Sequence, residues 1–347
     1  MILLLFPFHA AQIWSGGEHS GFYVWSHTNI ALHVFSTAVY PWYMTLLFAI
    51  AGMSGRYSLQ KRTAGQFATE RTKKILVPFL FGLLVLAPSM TYVAERFFNE
   101  YGGDYLHQYV LFFTKPTDFT GYRGGFTPGH LWFLLYLFVI SLTLLPIIAL
   151  QKKCLPELRP CNPPYFALVL LFVPEWLCQY ALNIGGKSLA QFLLLYLVGY
   201  YVLSEERVLH TLACRRFVSI ALCVLSGGLY VYLYCFRNVT GVLITALYIF
   251  YGWTGILTLL GMGQTTLDFC NRLSDYLSRA SFSVYILHMP LLVATGFFIL
   301  KLPLAVAVQF LLIVLISAAA TFLLYEIARR ISVLRFLLGM KHKLRRA

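Results

Sequence analysis

Long apolar runs separated by short polar connections fill this chain, and they constrain its fold more than any motif does. A span needs about 20 apolar residues to cross about 30 Å of hydrocarbon. Ten stretches approach that: roughly Met1 to Trp14, Ser36 to Met53, Ile75 to Val93, Leu131 to Leu150, Tyr165 to Leu182, Leu189 to Leu203, Phe217 to Cys235, Val242 to Leu260, Ser281 to Leu300 and Leu304 to Tyr325. With 59% hydrophobic and 12% charged residues, the 347-residue chain has too little polar surface to cover a globule in water. The expected fold is all-α: a polytopic, multi-pass protein of the cell membrane (cytoplasmic or inner membrane) with about ten transmembrane helices, since in lipid a helix satisfies its own backbone.

The formal charge of +14 does not point to nucleic acid, because the basic residues fall in short clusters between apolar runs. All of the 27 Lys and Arg except Arg96, Lys115, Arg123, Lys187, Arg237 and Lys301 lie after the even-numbered spans or in the tail. Cytoplasmic loops retain positive charge, so both termini are expected in the cytoplasm. The first run is short, with no basic segment before it and no small-residue cleavage site after it, and reads as a clipped transmembrane helix rather than a signal peptide. The cysteines (Cys154, Cys161, Cys178, Cys214, Cys223, Cys235 and Cys270) contain no C-x-x-C pair, and neither a metal site nor a disulfide framework is expected.

Two outer connections are long. Ser15 to Phe35 holds Glu18, His19, His27 and His33; Ala94 to Gly129 is rich in Gly, Tyr and mixed charge. The second could shape a pocket for a polyhydroxyl acceptor by stacking and hydrogen bonding; the alternative is a pair of solvated loops with interfacial aromatics. The sequence divides into a transmembrane domain, 1–328, and a basic tail, 329–347. Ile331, Leu334, Phe336, Leu337 and Leu338 interleave with the tail's cations, as in an amphipathic anchor on an anionic leaflet.

Few residues could carry chemistry. His9 is the one ionisable residue of MILLLFPFHAAQIW, and an imidazole in hydrocarbon is expensive unless it faces a polar interior. It is the candidate catalytic base. His130 opens the fourth span and His288 lies inside the ninth; each could share a cavity with His9 or bond structurally to a neighbouring helix. Arg71 and Lys74 stand at the cytoplasmic entrance of the third span, three apart, and on an α-helix would share a face that grips phosphates. Basic residues are also routine at such span ends. Glu175, beside Pro174, is the carboxylate well inside a span, where it would pair with a cation or a histidine or face water. The Gly-Gly pairs do not follow a phosphate-loop pattern.

In their order along the chain, ILLLFPFHAA, LLFAIAGMSGRYSLQKRT, FATERTKKILVPFLFG, PGHLWFLLYLF and SFSVYILHMPLL resemble the acyltransferase family 3 proteins, and among them the branch of glucan biosynthesis protein C. The resemblance covers nearly the whole length. It implies an O-acyltransferase that takes an acetyl- or succinyl-class group from cytoplasmic acyl-CoA to a carbohydrate or glycan hydroxyl at the outer face, with no metal. It places His9 at the histidine of the family's R-x10-H pattern and Arg71 with Lys74 at its R-x-x-R pair. The arginine of the first pattern would fall before Met1, so the first helix is expected to be truncated. Lys74 supplies a point charge where arginine would supply a fork. Two other classes compete: a secondary transporter exporting a polar or acylated metabolite, for which Pro174 and Glu175 are suggestive, and a non-catalytic scaffold or sensor that would tolerate substitution of His9 and Arg71.

Overall fold

The computed structural model describes residues 2–16, 22–154, 163–266 and 271–340. Glu18, His19, Arg159, Cys161, Cys270 and the basic tail after Met340 lie outside the described residues. In chain order the helices are α1 (Ile2–Gln12), α2 (Ile30–Gln60), α3 (Ala64–Phe98), α4 (Tyr105–Thr114), α5 (Gly129–Gln151), α6 (Tyr165–Cys178), α7 (Leu189–Leu203), α8 (Glu206–Cys214), α9 (Arg216–Phe236), α10 (Val242–Gly263), α11 (Arg272–Ile299), α12 (Val306–Ala328) and α13 (Ser332–Leu337). Seven of these, α2, α3, α5 and α9 to α12, are long and apolar enough to cross a bilayer, and α1, α6 and α7 are shorter apolar helices. The protein is an all-α polytopic membrane protein.

Helix ends overshoot the apolar runs. The polar segment before Ile75 is already helical from Ala64, and α11 begins at Arg272 rather than near Ser281. Hydropathy marks where hydrocarbon begins, whereas a helix ends only where its capping chemistry does. At α11 that chemistry is a capping box: the Asn271 side chain accepts from the Ser274 backbone N–H at 2.8 Å, and the Ser274 hydroxyl accepts from the Asn271 N–H at 3.1 Å. α6 stops at Cys178, short of Leu182, because the chain turns into an antiparallel hairpin, β1 (Asn183–Ile184) and β2 (Lys187–Ser188), through Gly185 and Gly186 at positive φ.

The chain forms two compact units. The first comprises Met1–Ser36, Arg71–Leu135 and Asn271–Ala347. Its core joins Ala10 of α1, and Ile13, Trp14 and Tyr23 of the connection that follows it, to Met90 and Ala94 of α3, Met289 and Leu292 of α11 and Ile313 of α12. A second cluster joins Phe6 to Ala280, Val284 and Tyr325. Phe6 therefore meets the early part of α11 and the end of α12, while Trp14 meets the later part of α11 and Phe310 near the start of α12. α1 and α11 run in the same direction, and α12 opposes them.

The connection from Ala94 to Gly129 is ordered at its base. Buried Glu95 pairs with Lys115 at 2.6 Å and accepts from Asn99 at 2.9 Å, and the Gln108 side chain donates to the Gly124 carbonyl at 3.0 Å. The start of the tail also packs on this unit. Beyond α13 the chain reverses at Gly339 (φ +66), with the Met340 N–H donating to Arg335 O and the Gly339 N–H to Phe336 O. This is a Schellman turn, whose reversal needs a left-handed residue. Leu338 is buried and its carbonyl accepts from the Ser283 hydroxyl at 3.2 Å, so this segment docks on α11.

The second unit comprises Thr37–Glu70 and Tyr136–Cys270. Glycines bring its helices into backbone contact. A Cβ on Gly52 would stand 2.0 Å from Tyr196 O, and one on Gly199 2.1 Å from Ala49 O, so α2 and α7 touch main chain to main chain. Arg56 forms an ion pair with Glu205 and donates to Tyr200 O and Ser204 Oγ.

Candidate active site

The site grows from two prolines. Pro290 inside α11 has no N–H, so the Ile286 carbonyl four residues earlier loses its helical partner. In a membrane helix that acceptor must be satisfied from elsewhere. His130 satisfies it, its Nε2–H donating to Ile286 O at 3.0 Å. Pro128 and Gly129 deliver the ring. Gly129 takes a left-handed φ of +52, the Thr127 hydroxyl accepts from its N–H at 2.9 Å, and a Cβ there would meet the Tyr23 hydroxyl at 3.0 Å and the Met90 methyl at 2.9 Å. Burial pushes the Tyr23 phenol well above its ordinary pKa, so it remains a neutral hydroxyl. Tyr285 completes the joint by donating its hydroxyl to the His130 carbonyl.

His288 lies one turn along α11 from Tyr285 and is fully buried. Its Nδ1 is 2.6 Å from Tyr285 O. A carbonyl only accepts, so the proton of the neutral ring sits on Nδ1 and Nε2 carries a lone pair. That Nε2 has no partner among the described residues, and neither does His130 Nδ1. An unsatisfied buried acceptor costs about 1–3 kcal/mol, so two neighbouring ones call for donors that the described residues do not supply.

His9 completes the group. Its ring centroid is 5.2 Å from that of His288, which in turn is 5.2 Å from that of His130. Phe8 and Phe22 flank it, the latter stacked at 6.4 Å. His9 is partly accessible, whereas His130 and His288 are buried, and it makes no hydrogen bond among the described residues. The structure thus brings together three histidines that lie far apart in the chain.

Arg71 and Lys74 belong to the same unit, at the start of the membrane-crossing part of α3. Residues Thr72–Leu76 form a π turn, so a wider turn stands where α-helical spacing was assumed between Arg71 and Lys74. Arg71 is partly buried and Lys74 exposed. Met90, which touches the Gly129 position beside His130, lies sixteen positions beyond Lys74 along α3, about 24 Å of helix. The carbonyl of Lys74 also faces Gly339 of the docked tail.

Glu175 belongs to the other unit. It is buried, accepts from Gln191 Nε2 at 3.1 Å, and leaves Oε2 without a partner among the described residues. Among the described residues no three His, Cys, Asp or Glu side chains are placed to hold a metal ion, and Cys154, Cys178, Cys214, Cys223 and Cys235 are free thiols.

Tyr285 is the residue that the sequence reading missed. Its signal is local: in SVYILHMP, Pro290 orphans the Ile286 carbonyl, and both Tyr285 and His288 lie within a turn of that break.

No curated protein and no solved structure matches the chain. A family model does: that of the acyltransferase 3 family, described as an acyltransferase domain, matches residues 1–326. The match spans α1 through most of α12 and so includes all three histidines, Arg71 and Lys74. The chain belongs to the acyltransferase 3 family and is a membrane acyltransferase.

Proposed function

We propose that this acyltransferase moves an acetyl- or succinyl-class group from cytoplasmic acyl-CoA to a hydroxyl of a carbohydrate or glycan at the outer face of the cell membrane. In this reading the ten apolar helices all cross or enter the bilayer and both termini are cytoplasmic. Arg71 and Lys74 hold the phosphates of CoA at the inner mouth. The acyl-bearing pantetheine arm reaches along α3, whose length from Lys74 to Met90 suits an extended chain. The outer connections that begin after α1 and α3 receive the acceptor, with Tyr and Gly-rich segments suited to sugar hydroxyls and ring faces.

His9 acts as general base. A sugar hydroxyl is a weak nucleophile, and His9 takes its proton as the oxygen attacks the thioester carbonyl. The new C–O bond forms, the C–S bond breaks, and the proton on His9 passes to the departing thiolate to give CoA–SH. The observation that carries this reading is the partly accessible imidazole of His9 at the edge of a group of histidines centred on buried His288, in the same unit as the basic pair.

The test is acyl transfer from a panel of radiolabelled acyl-CoAs in membranes containing the protein. The expected result is label in the carbohydrate fraction from one donor class. Label that stays with CoA, together with export of a polar metabolite by the same membranes, would favour the transporter reading.

A further inference from the structure

We infer that His288 is a positioning residue for His9: its Nε2 accepts the N–H of His9 and so fixes which nitrogen of His9 faces the acceptor hydroxyl. This rests on the acyl-transfer reading for its chemistry, but the pairing itself follows from a count of donors.

His288 has its own proton committed to the Tyr285 carbonyl, which leaves Nε2 as a buried acceptor without a donor. His130 cannot supply one, because its proton is committed to Ile286 O and its other nitrogen is also a bare acceptor. The Tyr285 hydroxyl is committed to the His130 carbonyl. Phe6, edge-on to the His288 ring at 6.0 Å between centroids, has no polar hydrogen. That leaves His9, whose ring lies 5.2 Å away at 37° to that of His288 and is held by no hydrogen bond among the described residues. A rotation of the His9 ring points its N–H at Nε2. The opposite nitrogen is then the lone pair, turned away from the buried side of the cluster. When His9 takes the hydroxyl proton, the imidazolium keeps its bond to His288 until that proton leaves with the thiolate. His288 thus does for His9 what a buried carboxylate does for the histidine of a hydrolytic triad, without adding a charge.

The experiment compares His288→Asn with His288→Gln. Asparagine keeps a donor near Nδ1 for the Tyr285 carbonyl and removes the acceptor at Nε2; glutamine reaches that place with an amide oxygen. Two readouts are taken on the full chain: steady-state transfer in membranes, and the rate at which diethyl pyrocarbonate modifies His9 in purified protein, followed by mass spectrometry. His288→Asn is expected to lower kcat by about 100-fold with KM for acyl-CoA unchanged, and to slow modification of His9 by about tenfold as its free nitrogen loses basicity. His288→Gln should restore both to within about threefold of the parent. Equal modification rates in the parent and His288→Asn, or a His288→Gln protein as impaired as His288→Asn, would overturn the assignment. A parent that transfers no acyl group yet shows the expected order of modification rates would overturn the transfer reading and leave the pairing standing.

Discussion

The two units differ in how their helices meet. In the second, Arg56 pairs with Glu205 and Glu175 accepts from Gln191. Its helices are drawn together by glycines until backbone meets backbone, as at Gly52 and Gly199. In the first, the core is packed from large side chains such as Trp14, Met90 and Met289, and α11 carries a proline whose orphaned carbonyl accepts from His130. There two buried ring nitrogens are left without donors beside a third, partly accessible imidazole. Close backbone packing removes room and freedom; packing through large side chains leaves both. The chemistry is therefore expected in the first unit, with the second as scaffold.

The strongest way to break this contrast is at the glycine contact. Gly199→Val forces a side chain against the Ala49 carbonyl and should destabilise the protein by about 3 kcal/mol, read as a lower midpoint of thermal unfolding in detergent. Gly65→Ala, where a Cβ meets nothing within 4 Å, should leave the midpoint unchanged or raise it slightly. Next in size is Arg71→Ala, which should raise KM for acyl-CoA by about 10- to 30-fold at unchanged kcat. Lys74→Ala should raise it by less, and Lys74→Arg should match the parent.

Glu175→Gln tests the scaffold side. It keeps a hydrogen-bonding group opposite Gln191 and should leave transfer within about twofold of the parent; a larger loss would move part of the chemistry into the second unit. The smallest effect is at exposed Asp118, whose carboxyl is held below its ordinary value mainly by the Thr120 hydroxyl at 2.7 Å. A lowered native pKa means that the contribution is present above the ordinary carboxylate value and is lost as pH falls through the native one. Asp118→Asn should therefore cost a few tenths of a kcal/mol at neutral pH and nothing in strong acid, read from unfolding at the two pH values.

Apolar runs located the seven helices long and apolar enough to cross a membrane and the three shorter apolar ones among the described residues, because hydrophobicity has to match the hydrocarbon wherever a helix lies in it. They missed the polar overhangs at Ala64 and Arg272, where hydropathy is silent and caps decide. His9, His130 and His288 were visible as misplaced polar groups. Their meeting was not visible, since 156 positions separate His130 from the Ile286 carbonyl that fixes it. The π turn at Thr72–Leu76 was equally hidden, and spacing alone had assumed an α-helical face for Arg71 and Lys74. The Glu95 and Lys115 pair was hidden for the same reason: residues 20 apart meet only because the connection between α3 and α5 folds back.

The central claim is that His9 performs acyl transfer between the two faces of the membrane. It is tested most directly in sealed vesicles with labelled acyl-CoA on the cytoplasmic side and a carbohydrate acceptor on the other, comparing the parent with His9→Ala. The account predicts labelled acceptor on the outer side with the parent, and a rate lower by about 10³-fold with His9→Ala at an unchanged unfolding midpoint. A folded His9→Ala protein that transferred label at the parental rate would contradict it.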